Sequence, residues 1–201
     1  MLSSASKNLR SLCIFCGSSS GSKPEYAVAA AAMGRLLAKR GVRVVFGGGN
    51  VGLMGVLADA ALAAGGEVVG VIPQMLVDKE LAHRHVTDLR IVGSMHERKA
   101  LMAELSDAFV ALPGGLGTYE ELFEVLTWAQ LHIHHKPCGC LNVLGYFDPL
   151  ARLLDHAVAE GFLRGEQRRL LVMAADLGDL LALLSHQQPA RETKWIGRDV
   201  I

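Results

Sequence analysis

The sequence predicts an α/β fold: a doubly wound parallel sheet of about seven strands with helices on both faces. Three observations predict it. Short apolar runs rich in β-branched residues recur without polar alternation, as in strands buried on both faces. Longer Ala- and Leu-rich segments separate these runs, and that alternation implies right-handed crossovers and a parallel sheet. Three of the expected strand ends run into clusters of small residues, where ligands bind in such folds.

Taken in order, strands are expected at 12–16, 42–46, 68–72, 86–92, 108–112 and 138–143, with a seventh run at 170–173. Helices fit between them at 24–39, 51–64, 96–105, 118–132, 149–160 and 177–184. A chain of 201 residues fits one domain with a substantial core. Residues 1–9 and 187–201 read as peripheral tails. There is no internal repeat, linker or low-complexity block.

Lys plus Arg and Asp plus Glu balance at 20 each, which argues against a nucleic-acid or membrane-surface partner but leaves room for a small basic pocket. No apolar run approaches the roughly 18–20 residues of a membrane span. The first nine residues, "MLSSASKNL", lack the apolar core of a signal peptide, so a cytoplasmic protein is expected. Cys13 and Cys16 have C-x-x-C spacing, but "LCIFCG" reads as a strand, where residues three apart point to opposite faces. Redox pairs sit instead where a helix begins, so buried cysteines in a reducing compartment are expected.

The small-residue clusters follow the first, second and fifth strands: "CGSSSGSKP" with Gly17 and Ser18, "FGGGNVGLMG" with Gly48 and Gly49, and "LPGGLGTYEE". On one edge of one sheet they outline a single cleft. Gly47, Gly49 and Gly52 satisfy G-x-G-x-x-G, the dinucleotide fingerprint. Its partner carboxylate is missing, because Glu67 precedes the third strand and stands at the wrong end to reach a ribose. A turn that lets backbone approach a ligand closely is the better reading.

In "SMHERKALMAEL", Ser94 is the expected N-cap, and Arg98 and Lys99 fall in the first turns. Cations there oppose the helix dipole unless an anion is bound. An anion pocket is one reading; two solvated residues paired with Glu97 or Glu104 is the other. Thr118-x-x-Glu121 has the form of a capping box. A cap alone needs no Gly114, Gly115 and Gly117 before it, whereas bared amides at a helix N-terminus suit a phosphate. Glu120 and Glu121 are expected in the first turn, where the dipole favours the ionised form. That suits a base, or a stabiliser of positive charge, better than a proton donor. The two point about 100° apart, so one faces the substrate.

"PGGLGTYEE", "MHERK", "CIFCGSSSG" and "GGGNVGLMG", in this order, closely resemble the LONELY GUY family of cytokinin-activating phosphoribohydrolases. The similarity spans residues 12–162, including "LTWAQLHIHHKP" and "LNVLGYFDPL". It implies a Rossmann-like fold, a homodimer or higher homo-oligomer, and no cofactor. It implies hydrolysis of the N-glycosidic bond of N6-modified adenosine 5′-monophosphates. Arg98 and Glu121 take the catalytic roles by matching motif positions. Substrate contacts fall to Arg98, Lys99, Gly115, Leu116, Gly117, Thr118, Tyr119, Glu120, Glu121, Thr127 and, on a looser match, Glu80. Members often carry a "lysine decarboxylase" label, but no site for a pyridoxal cofactor or its Schiff-base lysine is recognisable.

Cleaving that bond builds oxocarbenium character on the ribose. A carboxylate near the anomeric carbon stabilises it and positions water. Arg98 acts by electrostatics, since a guanidinium holds its proton too tightly to be an acid. Two other functions remain open: a broader nucleoside 5′-monophosphate glycosidase accepting AMP or GMP, and a nucleotide carrier without turnover. "HIHHKPCGC" gathers His132, His134, His135, Cys138 and Cys140, but no metal site is expected, because histidines at a helix C-terminus are favoured by the dipole alone. Met95, Met102, Trp128 and Leu131 are expected in the core; exposure of Trp128 and Leu131 would mark a partner surface.

Overall fold

The computed structural model describes residues 9–79 and 81–187. Seven strands pair in parallel throughout: β1 (Ser11–Phe15), β2 (Arg43–Phe46), β3 (Val68–Pro73), β4 (Asp88–Val92), β5 (Ala108–Ala111), β6 (Cys138–Leu141) and β7 (Leu171–Ala174). Their order across the sheet is β4-β3-β2-β1-β5-β6-β7. The chain winds outward from β1 to β4, returns to β5, and winds the other way. The order therefore reverses between β1 and β5, which places a crevice outside their carboxyl ends. The Rossmann-like α/β architecture expected from the sequence is present.

Helices α1 (Pro24–Lys39), α2 (Gly52–Ala63), α3 (Gln74–Val77), α4 (Met95–Glu104), α5 (Leu116–Gln130), α6 (Asp148–Ala159), α7 (Gly165–Arg168) and α8 (Leu177–His186) join the strands. α1 starts with Pro at its first position, where the missing N–H costs nothing. Met33 and Leu37 of α1, Leu53 and Leu57 of α2, and Leu180 and Leu184 of α8 pack on one sheet face with Leu12 and Ile14. Met102 of α4 and Val125 of α5 cover the other face with Cys13 and Phe15. α6 extends that second layer through Leu150, beside Phe147 and Leu122. Cys13 and Cys16 do fall on opposite faces. All four cysteines are buried and free.

Three expectations need correction. β4 is a half-exposed edge strand, with Ile91 51 % exposed, so its burial is not two-sided like that of β3. The short helices α3 and α7 span less than two turns, too little for a helical period to show in sequence. α5 begins at Leu116 with Gly115 at the N-cap, and no side chain caps it. Thr118 is therefore its third residue, and the capping box does not form. Glu120 and Glu121 consequently lie in the second turn. The tails predicted at 1–9 and 187–201 fall, apart from residues 9 and 187, outside the described residues, as does Glu80.

Candidate active site

The three small-residue loops meet at the carboxyl edge of β1, β2 and β5. Gly17 N donates to Pro113 O at 3.0 Å, and Leu53 N to Gly17 O at 2.9 Å, so the first loop is tied to both others. The approach is close enough to dictate Gly52. Its φ is +57°, and a Cβ there would stand 2.3 Å from the Ser18 carbonyl carbon. The G-x-G-x-x-G spacing thus serves loop packing. Glu67, the misplaced ribose acid, pairs instead with Arg43 at 2.8 Å.

These loops frame a cleft of ≈ 290 Å³. Arg98 and Glu121 both line it and are 9 % and 8 % exposed. Arg98 is delivered by α4, whose Ser94 N-cap accepts from Glu97 N at 3.1 Å as expected. Its guanidinium rests against Gly47, where a Cβ would lie 1.7 Å from Nη2. Nε donates to Val71 O at 3.2 Å. Nη2 lies 3.6 Å from Glu121 Oε1. Glu121 comes from the second turn of α5.

Burial raises the Glu121 carboxyl to about 7, against the opposing pull of Arg98 and Lys99 and with help from Glu120 and Glu124. The expectation of a plain carboxylate at neutral pH is corrected: desolvation wins, and the helix end is too far to rescue the charge. The group is poised to gain or lose a proton near neutrality. Cys16, at the cleft floor, is pushed up by burial and is no thiolate nucleophile.

The other predicted residues divide clearly. Ser18, Gly49, Gly115, Leu116, Gly117 and Thr118 line the same cleft. Gly115 and Gly117 have open space where a Cβ would stand, so packing within the protomer does not explain them. The amides of Leu116, Gly117 and Thr118 precede the first intrahelical bond, from Tyr119 N to Gly115 O. An anion is favoured there. Gly17 and Gly114 line an adjoining pocket of ≈ 180 Å³ with Tyr26 and Tyr146. Gly48 packs against Val71 and Ile72 and does not line the cleft.

Four predicted side-chain contacts do not reach the cleft either. Lys99 is held by Glu120, and by Glu124 at 2.9 Å. Burial works against its charge, but those two hydrogen bonds outweigh it and raise its pKa. Glu120 is exposed. Tyr119 packs edge-on to Phe147, 6.3 Å between centroids. Thr127 donates to Phe123 O at 2.7 Å on an exposed helix face. Leu131, too, is exposed, whereas Trp128 is half-buried against the second core cluster. Among the described residues, no group of three His, Cys, Asp or Glu side chains is arranged to hold a metal. His134 Nε2 meets Val125 O at 2.9 Å, and its Nδ1 accepts from Lys136 N at 3.1 Å.

Sequence reading missed several supports. Gly47 seats Arg98. Tyr146 donates its hydroxyl to Gly114 O, presented by a turn with left-handed Leu144 (φ 52°) and Gly145 (φ 73°). Met54, Ile72, Leu76 and Leu81 form an apolar wall of the cleft. "LGYFDP" was a signal for the turn; nothing local flagged the wall, because its residues come from four segments.

A reversed-order parallel sheet with a buried Arg–Glu pair beside an uncapped helix N-terminus defines a Rossmann-like protein with a nucleotide-sized cleft. The family described as "Possible lysine decarboxylase" matches residues 54–184. A probable cytokinin riboside 5′-monophosphate phosphoribohydrolase of Oryza sativa subsp. japonica is 53 % identical over 180 residues, covering 90 % of this chain and 73 % of the relative. A cytokinin riboside 5′-monophosphate phosphoribohydrolase of Arabidopsis thaliana is 48 % identical over 178 residues, covering 89 % and 82 %. The chain belongs to the LONELY GUY family of these phosphoribohydrolases. Its fold is also similar to the molybdenum cofactor carrier protein of Chlamydomonas reinhardtii, with TM-score 0.66 at 22 % identity over 87 % of this chain and 95 % of that one.

Proposed function

We propose that this chain hydrolyses the C1′–N9 bond of N6-modified adenosine 5′-monophosphates, releasing the free base and ribose 5-phosphate. The observation that carries the reading is the buried Glu121 carboxyl, 3.6 Å from Arg98, on the helix whose open N-terminus shares its cleft. Gly115 to Thr118 hold the 5′-phosphate by backbone amides. With the phosphate fixed, C1′ is set against Glu121, a proximity effect. As C1′–N9 breaks, ionised Glu121 stabilises the oxocarbenium character of the ribose and accepts a proton from the attacking water. Water supplies the hydroxyl to C1′, and one proton ends on the departing purine. Arg98 holds Glu121 in place and supplies fixed positive charge.

The apolar wall of Met54, Ile72, Leu76 and Leu81 supports an apolar N6 group. A cytoplasmic homodimer completes the proposal. Met95, Phe123, Leu131 and Ile133 of α4, α5 and the turn after it are exposed and offer an apolar face to a second copy. Thr127 lies on that face, so a substrate contact from it belongs to the assembled dimer. Among the described residues, no helix is long and apolar enough to cross a membrane.

The test is incubation with isopentenyl-AMP, AMP and GMP, following base release by chromatography. Isopentenyladenine released well ahead of adenine and guanine is the expected outcome. Comparable rates on AMP indicate the broader glycosidase, and binding with no released base indicates a carrier.

A further inference from the structure

His83 is 1 % exposed and lies outside the cleft, yet it is wired to it. Its Nε2 stands 3.0 Å from Asp59 Oδ1 on α2, while Nδ1 is buried with no partner among the described residues. Its ring meets Phe46 edge-on, 6.5 Å between centroids. A half-paired imidazole is a costly way to fill apolar space, which a leucine or phenylalanine fills without unmet hydrogen bonds. Its backbone explains the placement. His83 N donates to Gly48 O at 2.8 Å, and Asn50 N donates to Leu81 O at 2.8 Å. Gly49 and Ala82 form an antiparallel bridge between these bonds. Residues 81–83 thus make a strap along the second glycine loop, and the His83–Asp59 contact fastens that strap to α2.

The loop so fastened begins with Gly47, the surface on which the Arg98 guanidinium lies. Displacing it by a few tenths of an ångström changes the Arg98–Glu121 separation directly, because Arg98 Nη2 is the atom nearest to both. The strap also carries Leu81 into the cleft wall.

We infer that His83, anchored by Asp59, is a positioning residue: it fixes the Gly47–Gly49 loop and thereby the Arg98 guanidinium beside Glu121. The role rests on the glycosidase reading, with Arg98 and Glu121 performing the chemistry.

Asp59→Ala is the informative variant, since the Asp59 side chain is 71 % exposed and its loss opens no cavity. It is expected to lower kcat about tenfold with KM for isopentenyl-AMP within about twofold, a geometric loss of the kind misplacement produces. The lower limb of the pH profile should also move upward, as Arg98 drifts from Glu121. Asp59→Asn, which keeps an oxygen acceptor for His83, should restore most of kcat. His83→Phe should reproduce the Asp59→Ala pattern where it folds. An independent readout is the Arg98 Nε–H resonance in ¹⁵N-labelled protein, assigned by its loss in Arg98→Lys. It should shift in Asp59→Ala. An unmoved resonance, or a lowered Tm with unchanged kcat and pH limb, overturns the positioning role. A wild-type protein that releases no base overturns the glycosidase reading instead, and the resonance still decides the geometry.

Discussion

Arg98 Nη2 stands 3.6 Å from Glu121 Oε1, and each side chain is only 11 % exposed. At that separation the pair attracts without the short, charge-assisted hydrogen bond that would hold the carboxyl fully ionised. Burial therefore dominates and leaves Glu121 near 7. An exposed pair would give a carboxylate with an ordinary pKa; a tighter buried one would give an inert salt bridge. The observed spacing gives a group that exchanges its proton near neutrality, as the proposed general base requires.

The first consequence is a pH profile. In the proposed mechanism ionised Glu121 is the active form, so kcat/KM should rise with pH through a limb near 7. The phosphate of the substrate ionises near pH 6 by itself, about one unit lower. Glu120→Gln separates the two. It removes a like charge beside Glu121 and leaves Lys99 more available, and both effects lower the Glu121 limb while the substrate is unchanged. Stability runs in the opposite direction. With its pKa raised in the folded state, Glu121 contributes stability that is present below about 4.5 and lost as pH rises to about 7. Thermal melts of wild type and Glu121→Gln across that window should diverge, with the wild type falling more steeply.

A second consequence concerns Gly47. A methyl group there would overlap Arg98 Nη2, at 1.7 Å, while its backbone needs no left-handed conformation. Gly47→Ala should fold, displace the guanidinium, and cut kcat/KM by roughly a hundredfold, as misplacement of an electrostatic group does. Initial-rate kinetics with a thermal melt on the same sample check this. A variant with wild-type rates would mean that Arg98 has no fixed seat.

Tyr146 supplies a third. Its hydroxyl donates to Gly114 O and steadies the loop that opens α5. Tyr146→Phe should cost about 1 kcal/mol of stability, the typical worth of one such bond. It should raise KM for the 5′-monophosphate while leaving the rate on the corresponding nucleoside unchanged, because in the proposed binding mode only the phosphate meets that loop. Parallel kinetics on the two substrates distinguish this from a general loosening of the fold.

The sequence carried the strands well because buried parallel strands such as "VVGVI" and "AFVA" leave continuous apolar runs that no helix of that length would show. The glycine loops were equally visible, since their composition is local. The start of α5 is not legible because Thr118 and Glu121 have capping-box spacing, while the actual cap, Gly115, contributes no side chain to recognise. The state of Glu121 is hidden from the sequence for a related reason. Its pKa is set by burial among β1, α4 and α5, and burial is a property of packing that adjacent letters do not encode. Lys99 pairs with Glu120 and Glu124 rather than with Glu97 or Glu104, and local spacing does not show this because those partners lie more than twenty residues downstream on another helix.

In the proposed mechanism Glu121 performs the chemistry while the glycine loop performs the binding. Glu121→Gln tests it most directly: isopentenyl-AMP is titrated by calorimetry, and base release is then followed in the same preparation. Nucleotide affinity within a few-fold of wild type and a loss of turnover of about a thousandfold or more are expected. Base release at near wild-type rates by Glu121→Gln would contradict it.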